Sequence, residues 1–177
     1  METMNTVSWI LFMSTYPPRE CGIATFTRDL SNAIGKKFPD SFKPKILAIN
    51  YDVTRMYNYP EEVIYHLNDS EEREYSEIAR QINANDNIKL VNIQHEFGIF
   101  GGEYGSMLLE FLGALKKPAV VTFHTVLPEP NDKLKKAVKG IAKKAKSIIV
   151  MSKTAVKILR KDYGIRKAVH IIPHGIP

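Results

Sequence analysis

The sequence predicts a doubly wound α/β domain built on a mostly parallel sheet of about seven strands, with helices on both faces. Short apolar runs alternate with amphipathic helical segments along the 177 residues, and this alternation is typical of right-handed β-α-β units. The apolar runs are rich in Val and Ile, as strands are when both faces of a sheet are covered. A chain of this length can bury a core of its own, so we expect a single domain over residues 1–177.

Seven apolar runs mark the strands, and five amphipathic segments mark the helices. We predict strands at 7–13, 44–50, 62–67, 88–94, 119–125, 147–151 and 168–172. We predict helices at 23–37, 70–84, 104–116, 132–146 and 153–163. Ser70 and the glutamates after it favour a helix start, whereas Tyr163-Gly164 favours a helix end. Residues 51–61 follow neither pattern and are expected to form an irregular loop.

Composition excludes several classes of protein. Hydrophobic residues make up 44% of the sequence, which is typical of a globular domain and too high for a disordered chain. Cys21 is the single cysteine, so no disulfide can form within the chain and a cytoplasmic location is expected. No segment reaches the roughly 20 apolar residues of a membrane-spanning helix. The run 7–13 is short and is preceded by Glu2, so we interpret it as a first strand rather than a signal peptide.

The net charge of +6 is unevenly distributed. Residues 1–132 hold 12 Lys or Arg against 18 Asp or Glu, whereas residues 133–177 hold 13 Lys or Arg against Asp162 alone. Two explanations fit: helices whose lysines face solvent, or a surface that attracts an anionic ligand or the anionic inner face of a membrane. Nucleic acid is not an expected partner, because the basic segment lacks interleaved aromatic residues and any recognisable motif.

Unusual residues follow the predicted strands at their carboxyl ends, where open parallel sheets bind ligands. Three of the five histidines and the Gly-rich stretches share this edge. The opposite loops, 40–43, 85–87 and 116–118, are plain by comparison. We therefore place the site beyond the carboxyl ends, in the stretches 14–22, 95–103, His124-Thr125, Ser152 and Pro173-His174-Gly175.

Three residues of this edge each allow two interpretations. Gly22 fits a tight turn, or a helix N-terminus that an anion approaches closely. Arg19 follows two prolines that stiffen its loop, so it is either a surface cation without a role or a preorganised ligand contact. His124 ends an apolar strand, where an imidazole is either held by local hydrogen bonds or acts on a ligand as a donor or base.

Several common kinds of site are excluded by missing motifs. The chain has no G-x-G-x-x-G fingerprint, no Gly-Lys-Ser/Thr phosphate loop and no G-x-S-x-G elbow. His95-Glu96 does not form the H-E-x-x-H zinc motif, because Ile99 occupies the position of the second histidine. His170 and His174 lie in an extended segment, where four residues span about 13 Å, too far for one metal ion. We expect no metal and no other cofactor.

Five stretches, taken together, carry a resemblance to a known family. They are Tyr16-Pro-Pro-Arg-Glu-Cys-Gly-Ile-Ala-Thr-Phe-Thr-Arg-Asp-Leu30, Gln94-His-Glu-Phe-Gly-Ile-Phe-Gly-Gly102, Val120-Val-Thr-Phe-His-Thr125, Ile149-Val-Met-Ser152 and Ile171-Ile-Pro-His-Gly-Ile176. In this order they resemble the N-terminal domain of GT-B glycosyltransferases, specifically the retaining family 4, or "group 1", enzymes. The resemblance covers essentially the whole chain.

The resemblance implies transfer of a hexosyl unit from a nucleotide-sugar to a glycan, lipid-linked or small-molecule acceptor, normally without a bound metal. Two Rossmann-like domains would face each other across a cleft, and this chain would be the acceptor-side half. By position, His124 would contact the transferred sugar near the reacting centre. Cys21 and Gly22 would approach the donor phosphates or the acceptor.

The resemblance also assigns the remaining candidates. Arg19, His95 and Glu96 would line the acceptor side, and His174-Gly175 would lead into the second domain. The chain departs from many relatives in having Cys21-Gly22 where they have Gly-Gly. It stops at Pro177, so the nucleotide-sugar-binding domain with its E-x7-E element is expected to be absent, and we expect the chain alone to be inactive or nearly so.

An alternative remains open at this point. A non-catalytic nucleotide- or sugar-binding module of the same fold would show the same N-terminal stretches. The codons beyond Pro177 distinguish the two, since a second domain with E-x7-E favours the enzyme and a stop codon favours the module.

Overall fold

The computed structural model describes residues 7–51 and 57–175, so residues 52–56 of the expected irregular loop lie outside the described residues. Within the described part, seven strands form one parallel sheet in the order β3-β2-β1-β4-β5-β6-β7. This confirms the predicted fold class. The strands are β1 (Ser8–Ser14), β2 (Phe42–Asn50), β3 (Val63–Asn68), β4 (Ile88–His95), β5 (Ala119–Phe123), β6 (Ser147–Val150) and β7 (Val169–Ile171).

Three of the five helices in the described part begin at a side chain that satisfies one of the first free backbone N–H groups. Side-chain atoms of Cys21, Asn131 and Ser152 each accept a hydrogen bond from the N–H three residues later. Among the described residues, no helix has the length and apolar character needed to cross a membrane. The helices are α1 (Gly22–Lys37), α2 (Glu72–Ala84), α3 (Leu108–Ala114), α4 (Asp132–Lys144) and α5 (Lys153–Lys161).

Two predicted helix starts were wrong. The helix predicted over 104–116 begins only at Leu108, because Gly102, Tyr104 and Gly105 have φ values of 76°, 55° and 74°. Left-handed backbone of this kind interrupts a right-handed helix, so a 3₁₀ turn (Glu103–Gly105) precedes α3. The helix predicted from residue 70 begins at Glu72, and no side chain caps it.

The strand predicted over 119–125 ends at Phe123, so His124 belongs to the following loop. The His124 N–H still pairs with the carbonyl oxygen of His95, and its side chain lies on the face of the sheet opposite to that of Phe123.

Alternating residues of the central strands belong to two hydrophobic layers, one on each face of the sheet. Leu11 and Met13 of β1 join the larger cluster, which also contains buried residues of α2, α3, α4 and α5. Ile10 and Phe12 point to the other face, where Leu30 and Ile34 of α1 pack against them. Helix α1 thus covers one face, and the other four helices cover the opposite face.

The strand order reverses between β1 and β4, which lie side by side although 73 residues separate their ends. After β1 the chain turns toward β2, and after β4 it turns toward β5. The two loops therefore leave the sheet in opposite directions and open a crevice between them, which is the usual ligand position in such sheets.

Candidate functional site at the carboxyl edge of the sheet

The ends of β4 and β5 bring together three of the candidate residues. His95 pairs with Phe123 in the register of the sheet, and the His124 N–H donates to the carbonyl oxygen of His95 at 3.0 Å. One step further, the Thr125 hydroxyl donates to Glu96 Oε2 at 2.6 Å. Backbone pairing and this side-chain bond fix the two loops relative to each other.

His124 is held by an amide on the neighbouring strand. Its Nε2 atom lies 2.8 Å from Oε1 of Gln94, which is fully buried. The amide nitrogen of Gln94 donates to Oδ1 of Asn92, so the Gln94 oxygen is left to accept. This arrangement assigns the ring proton of His124 to Nε2. Nδ1 is then an acceptor.

The His124 imidazole is neutral at physiological pH. Burial lowers the pKa of His124 from 6.5 to about 4, the nearby Glu96 carboxylate opposes this shift, and His174 adds to it. A neutral ring bonded through Nε2–H has one nitrogen left, and that nitrogen can only accept. His124 can therefore bind a hydroxyl group of a ligand but cannot donate to a phosphate without losing its bond to Gln94.

Phe26 of α1 joins two histidines of the edge. Its ring centre lies 4.9 Å from that of His124 in an edge-on arrangement, and 5.0 Å from that of His174. His174 is exposed and its Nδ1 lies 2.8 Å from the carbonyl oxygen of Gly175, which is also exposed. The predicted exit segment thus passes beside the predicted catalytic histidine.

The first loop presents the N-terminus of α1 to the same crevice. Cys21 Sγ accepts from the Ala24 N–H at 3.3 Å and lies 3.1 Å from the Thr15 hydroxyl. The first N–H groups of a helix have no acceptor within it, so those of Gly22 and Ile23 face outward. A Cβ atom added to Gly22 would meet nothing within 4 Å. Cys21 therefore caps the helix, and the surface above Gly22 is open.

Glu96 is engaged inside the domain through both carboxylate oxygens. Oε1 accepts from the Phe97 N–H at 2.9 Å, while Oε2 accepts from Thr125. Arg19 lies on the other side of the crevice, where its Nη1 atom donates to the carbonyl oxygen of Ile49 at 3.4 Å. Both residues lie at the predicted edge, but at different ends of it.

The placement of His95 on the acceptor side requires a correction. Its side chain is fully buried, and neither ring nitrogen has a hydrogen-bond partner in the described part of the chain. The ring lies among those of Phe97, Phe100 and Phe123, with centre distances of 5.1–5.7 Å. Successive strand residues point to opposite faces of the sheet. The His95 side chain therefore points into the core, whereas the Gln94 side chain points toward His124.

A family model described as Glycosyltransferase Family 4 matches residues 22–177. The chain belongs to Glycosyltransferase Family 4. No protein of curated function matches the sequence.

Solved structures of two glycosyl-transferring proteins have a similar fold. One is a sucrose-phosphate synthase from Thermosynechococcus elongatus, with 12% identity, coverage of 95% of this chain and 90% of that chain, and a TM-score of 0.63. The other is an alpha-glucosyltransferase in complex with UDP and a 13-mer DNA, with 15% identity, coverage of 93% and 41%, and a TM-score of 0.59. At these identities the similarity shows the shared fold. This family 4 domain spans less than half of the second chain.

Two residues of this candidate site were missed by the sequence analysis. Gln94 holds the His124 ring, and Phe26 packs against it. A buried amide in an otherwise apolar strand, one residue before His95, was a usable signal for Gln94 because buried polar groups need partners. Phe26 gave no such signal, since an apolar residue on a helix stripe is normally a core residue.

A wide surface depression of the family 4 domain lies away from this crevice. It has a volume of about 610 Å³ and is formed by strands β5, β6 and β7 on the side of the sheet that α1 leaves open. Across the described residues, no three His, Cys, Asp or Glu side chains come together as a metal site would require. We therefore locate the site from its chemistry rather than from cavity size.

Proposed function

We propose that this family 4 domain is the acceptor-binding half of a retaining transferase that moves a hexosyl unit from a nucleotide-sugar to a glycan, lipid-linked or small-molecule acceptor. The observation that carries the proposal is the neutral His124 ring, oriented by Gln94 beside the first turn of α1. One of the two solved structures with a similar fold is a complex with UDP, which supports a nucleotide-sugar as the donor class.

His124 would act by accepting a hydrogen bond from a hydroxyl group of the transferred sugar. Glycosyl transfer passes through a transition state with positive charge on the sugar ring, so a protonated imidazole beside it would be repelled. The low pKa of His124 keeps the ring neutral, and the bond to Gln94 keeps Nδ1 as the acceptor. The donor phosphates would approach the outward N–H groups of Gly22 and Ile23, where no side chain intervenes.

We further propose that the partner across the crevice is a second, nucleotide-sugar-binding domain and that this domain alone is inactive or nearly so. The exposed His174-Gly175 segment beside Phe26 supports a connection at this point. Glu96, the carboxylate that interacts with His124, is engaged through both of its oxygens, so we propose that a complete reaction draws on groups of that second domain.

The test uses the complete translated product of the gene together with the 177-residue chain. Both are incubated with a panel of UDP- and GDP-hexoses and saccharide acceptors, and products are identified by mass and by the anomeric proton coupling. We expect retained-configuration product from the complete protein, a loss of at least about 100-fold in kcat for His124→Ala, and no turnover by the chain alone. A complete protein that binds saccharide without transfer would favour the non-catalytic module.

We also propose a cytoplasmic location with peripheral contact to an anionic membrane face through the lysines of α4 and α5. The apolar residues of α4, Leu134, Val138 and Ile141 among them, are buried in the core and cannot insert into lipid. Contact would therefore be electrostatic and sensitive to salt. Sedimentation with vesicles containing anionic lipid should carry the protein down at low salt only, and equal sedimentation with neutral vesicles would contradict the proposal.

A further inference from the structure

A second cluster of polar and aromatic side chains lies at the carboxyl end of β2, apart from His124. Arg19 reaches over this strand to the carbonyl oxygen of Ile49. Tyr51 follows the strand, and its ring centre lies 5.9 Å from the Arg19 guanidinium. Two strands, β1 and β4, separate β2 from β5, so the cluster lies about 14 Å from His124 at the usual strand spacing.

Arg19 is a half-buried cation without an ion-pair partner in residues 7–51 and 57–175. A guanidinium carries five N–H donors, and the long bond to Ile49 engages only one of its nitrogens. Charges that are partly withdrawn from water in proteins are normally paired. An anion supplied by a ligand would satisfy the remaining donors.

Neither described neighbour of Arg19 forms an ion pair with it. Asp69 is only 8% exposed, and burial raises the pKa of its carboxyl while Arg19 opposes the shift. Tyr59 donates its hydroxyl to Oδ1 of Asn50 at 2.8 Å, and burial raises the pKa of Tyr59 to about 12, so the phenol stays neutral. Arg19 therefore remains the cation of this cluster, without an ion pair inside the described part of the chain.

The loop after β4 joins this cluster to the His124 end of the crevice. It starts at Glu96 beside Thr125 and reaches Gly101, whose N–H donates to the Tyr75 hydroxyl at 3.0 Å. That hydroxyl in turn donates to the carbonyl oxygen of Asp69 at 3.2 Å. The loop thus forms one wall from His124 to Asp69, along which an extended ligand could contact both ends.

We propose that Arg19 and Tyr51 form a subsite for an anionic group, a phosphate or a carboxylate, carried by the acceptor about 14 Å from the reacting sugar. This inference rests on the proposed function. The planar guanidinium fork matches two oxygens of either anion. The Tyr51 side chain is 70% exposed and offers a flat apolar face to the C–H groups of a sugar ring. The acceptor is then longer than one sugar ring and acidic at its far end.

The test is direct binding to the 177-residue chain at pH 7.5 and constant ionic strength, measured by calorimetry. The probes are glucose 6-phosphate, glucuronate, glucose and inorganic phosphate. We expect glucose 6-phosphate and glucuronate to bind at least about tenfold more tightly than glucose, because only they offer a charge-assisted bond. Inorganic phosphate should bind more weakly than glucose 6-phosphate, since it lacks the ring that Tyr51 contacts.

Matched variants assign the binding to Arg19. Arg19→Gln should lower the affinity for glucose 6-phosphate about tenfold. Arg28→Gln, which alters an exposed arginine already paired with Asp29 at 2.9 Å, should leave it unchanged. Thermal unfolding of both variants checks that they fold, and Tyr51→Ala provides a second variant with a smaller loss.

Several results would overturn the subsite. They are equal binding of glucose and glucose 6-phosphate, no binding of either acidic sugar, or full affinity in Arg19→Gln. Equal affinity for inorganic phosphate would identify a free anion as the ligand and remove the acceptor from the assignment. These outcomes leave the proposed function standing, because a transferase with a neutral acceptor would still form product. If the complete protein bound the acidic sugars more tightly than glucose but transferred no sugar, only the proposed function would be contradicted.

Discussion

Oε1 of Gln94 lies 2.8 Å from Nε2 of His124, and this contact joins the end of β4 to the loop after β5, at the edge where the chain has its unusual residues. Gln94 is fully buried, and its amide nitrogen is already used by Asn92. Gln94 therefore keeps the ring proton of His124 on Nε2.

Gln94→Glu should raise the pKa of His124 from about 4 toward or above its ordinary 6.5, because a carboxylate beside the ring favours the imidazolium form. Nuclear magnetic resonance titration of the ring nitrogens measures this value and identifies the protonated nitrogen. Gln94→Leu should leave the pKa low but free the ring to exchange its proton between Nδ1 and Nε2. An unchanged titration in Gln94→Glu would show that Gln94 does not govern His124.

The stability of the domain should fall as the pH drops below about 6.5. Burial lowers the pKa of His95 to about 3 and that of His124 to about 4, so the unfolded chain takes up protons before the folded chain does. Each histidine then costs about 1.4 kcal/mol of unfolding free energy per pH unit until its folded pKa is reached. Urea unfolding between pH 7 and 4 measures the slope.

His95→Leu should reduce that slope and leave stability at pH 7 unchanged or higher. The ring nitrogens of His95 have no partner to lose within the described residues, and an unpaired buried polar group costs about 1–3 kcal/mol. The exposed His170 serves as a control, and His170→Gln should keep the wild-type slope. A His95→Leu variant with the original pH dependence would contradict this account.

Lys167→Met should destabilise the domain by about 1–2 kcal/mol. The Lys167 ammonium donates to the carbonyl oxygens of Ala142 and Lys143, at 2.9 and 3.2 Å, and to that of Ala145, so it closes the C-terminal end of α4. Cations at this position also favour the helix dipole. Lys143→Met removes a neighbouring exposed lysine and should change the unfolding midpoint little, and equal effects of both changes would argue against the cap.

Substitution by alanine should distinguish Gly101, which the packing of the domain requires, from Gly22, which lies at the candidate site. A Cβ at Gly101 would lie 1.8 Å from the backbone oxygen of Asp69, so Gly101→Ala should cost about 2–4 kcal/mol or displace the loop. A Cβ at Gly22 meets open space, and Gly22→Ala should leave the unfolding free energy within about 1 kcal/mol. Calorimetric unfolding of both variants makes the comparison.

If Gly22 serves a ligand, Gly22→Ala should still weaken binding of UDP or of an acceptor to the complete protein. If Gly22→Ala kept the full affinity for these ligands, Gly22 would be interpreted as part of a tight turn. A large loss of stability in Gly22→Ala would also do so, since the glycine would then be needed by the fold itself.

The predictable part of the fold rests on local patterns. Seven Val- and Ile-rich runs became seven parallel strands, because covered strands leave a continuous apolar signal. The start of α3 could not be predicted, since Gly102, Tyr104 and Gly105 take left-handed backbone that a helical pattern does not reveal. The start of α2 differed because Ser70 lies too early to cap it.

The sequence by itself determined the class of fold and the family, because strand patterns, helix patterns and short motifs can be read directly along the chain. It also predicts that the site lies at the carboxyl edge of the sheet. The tertiary structure decided which way each side chain points. Neighbours Gln94 and His95 lie on opposite faces of β4, so the amide reaches His124 while the imidazole is buried. The tertiary structure also decided that Arg19 lies over β2. The order of the strands sets the distances between the loops, and local sequence patterns do not determine that order.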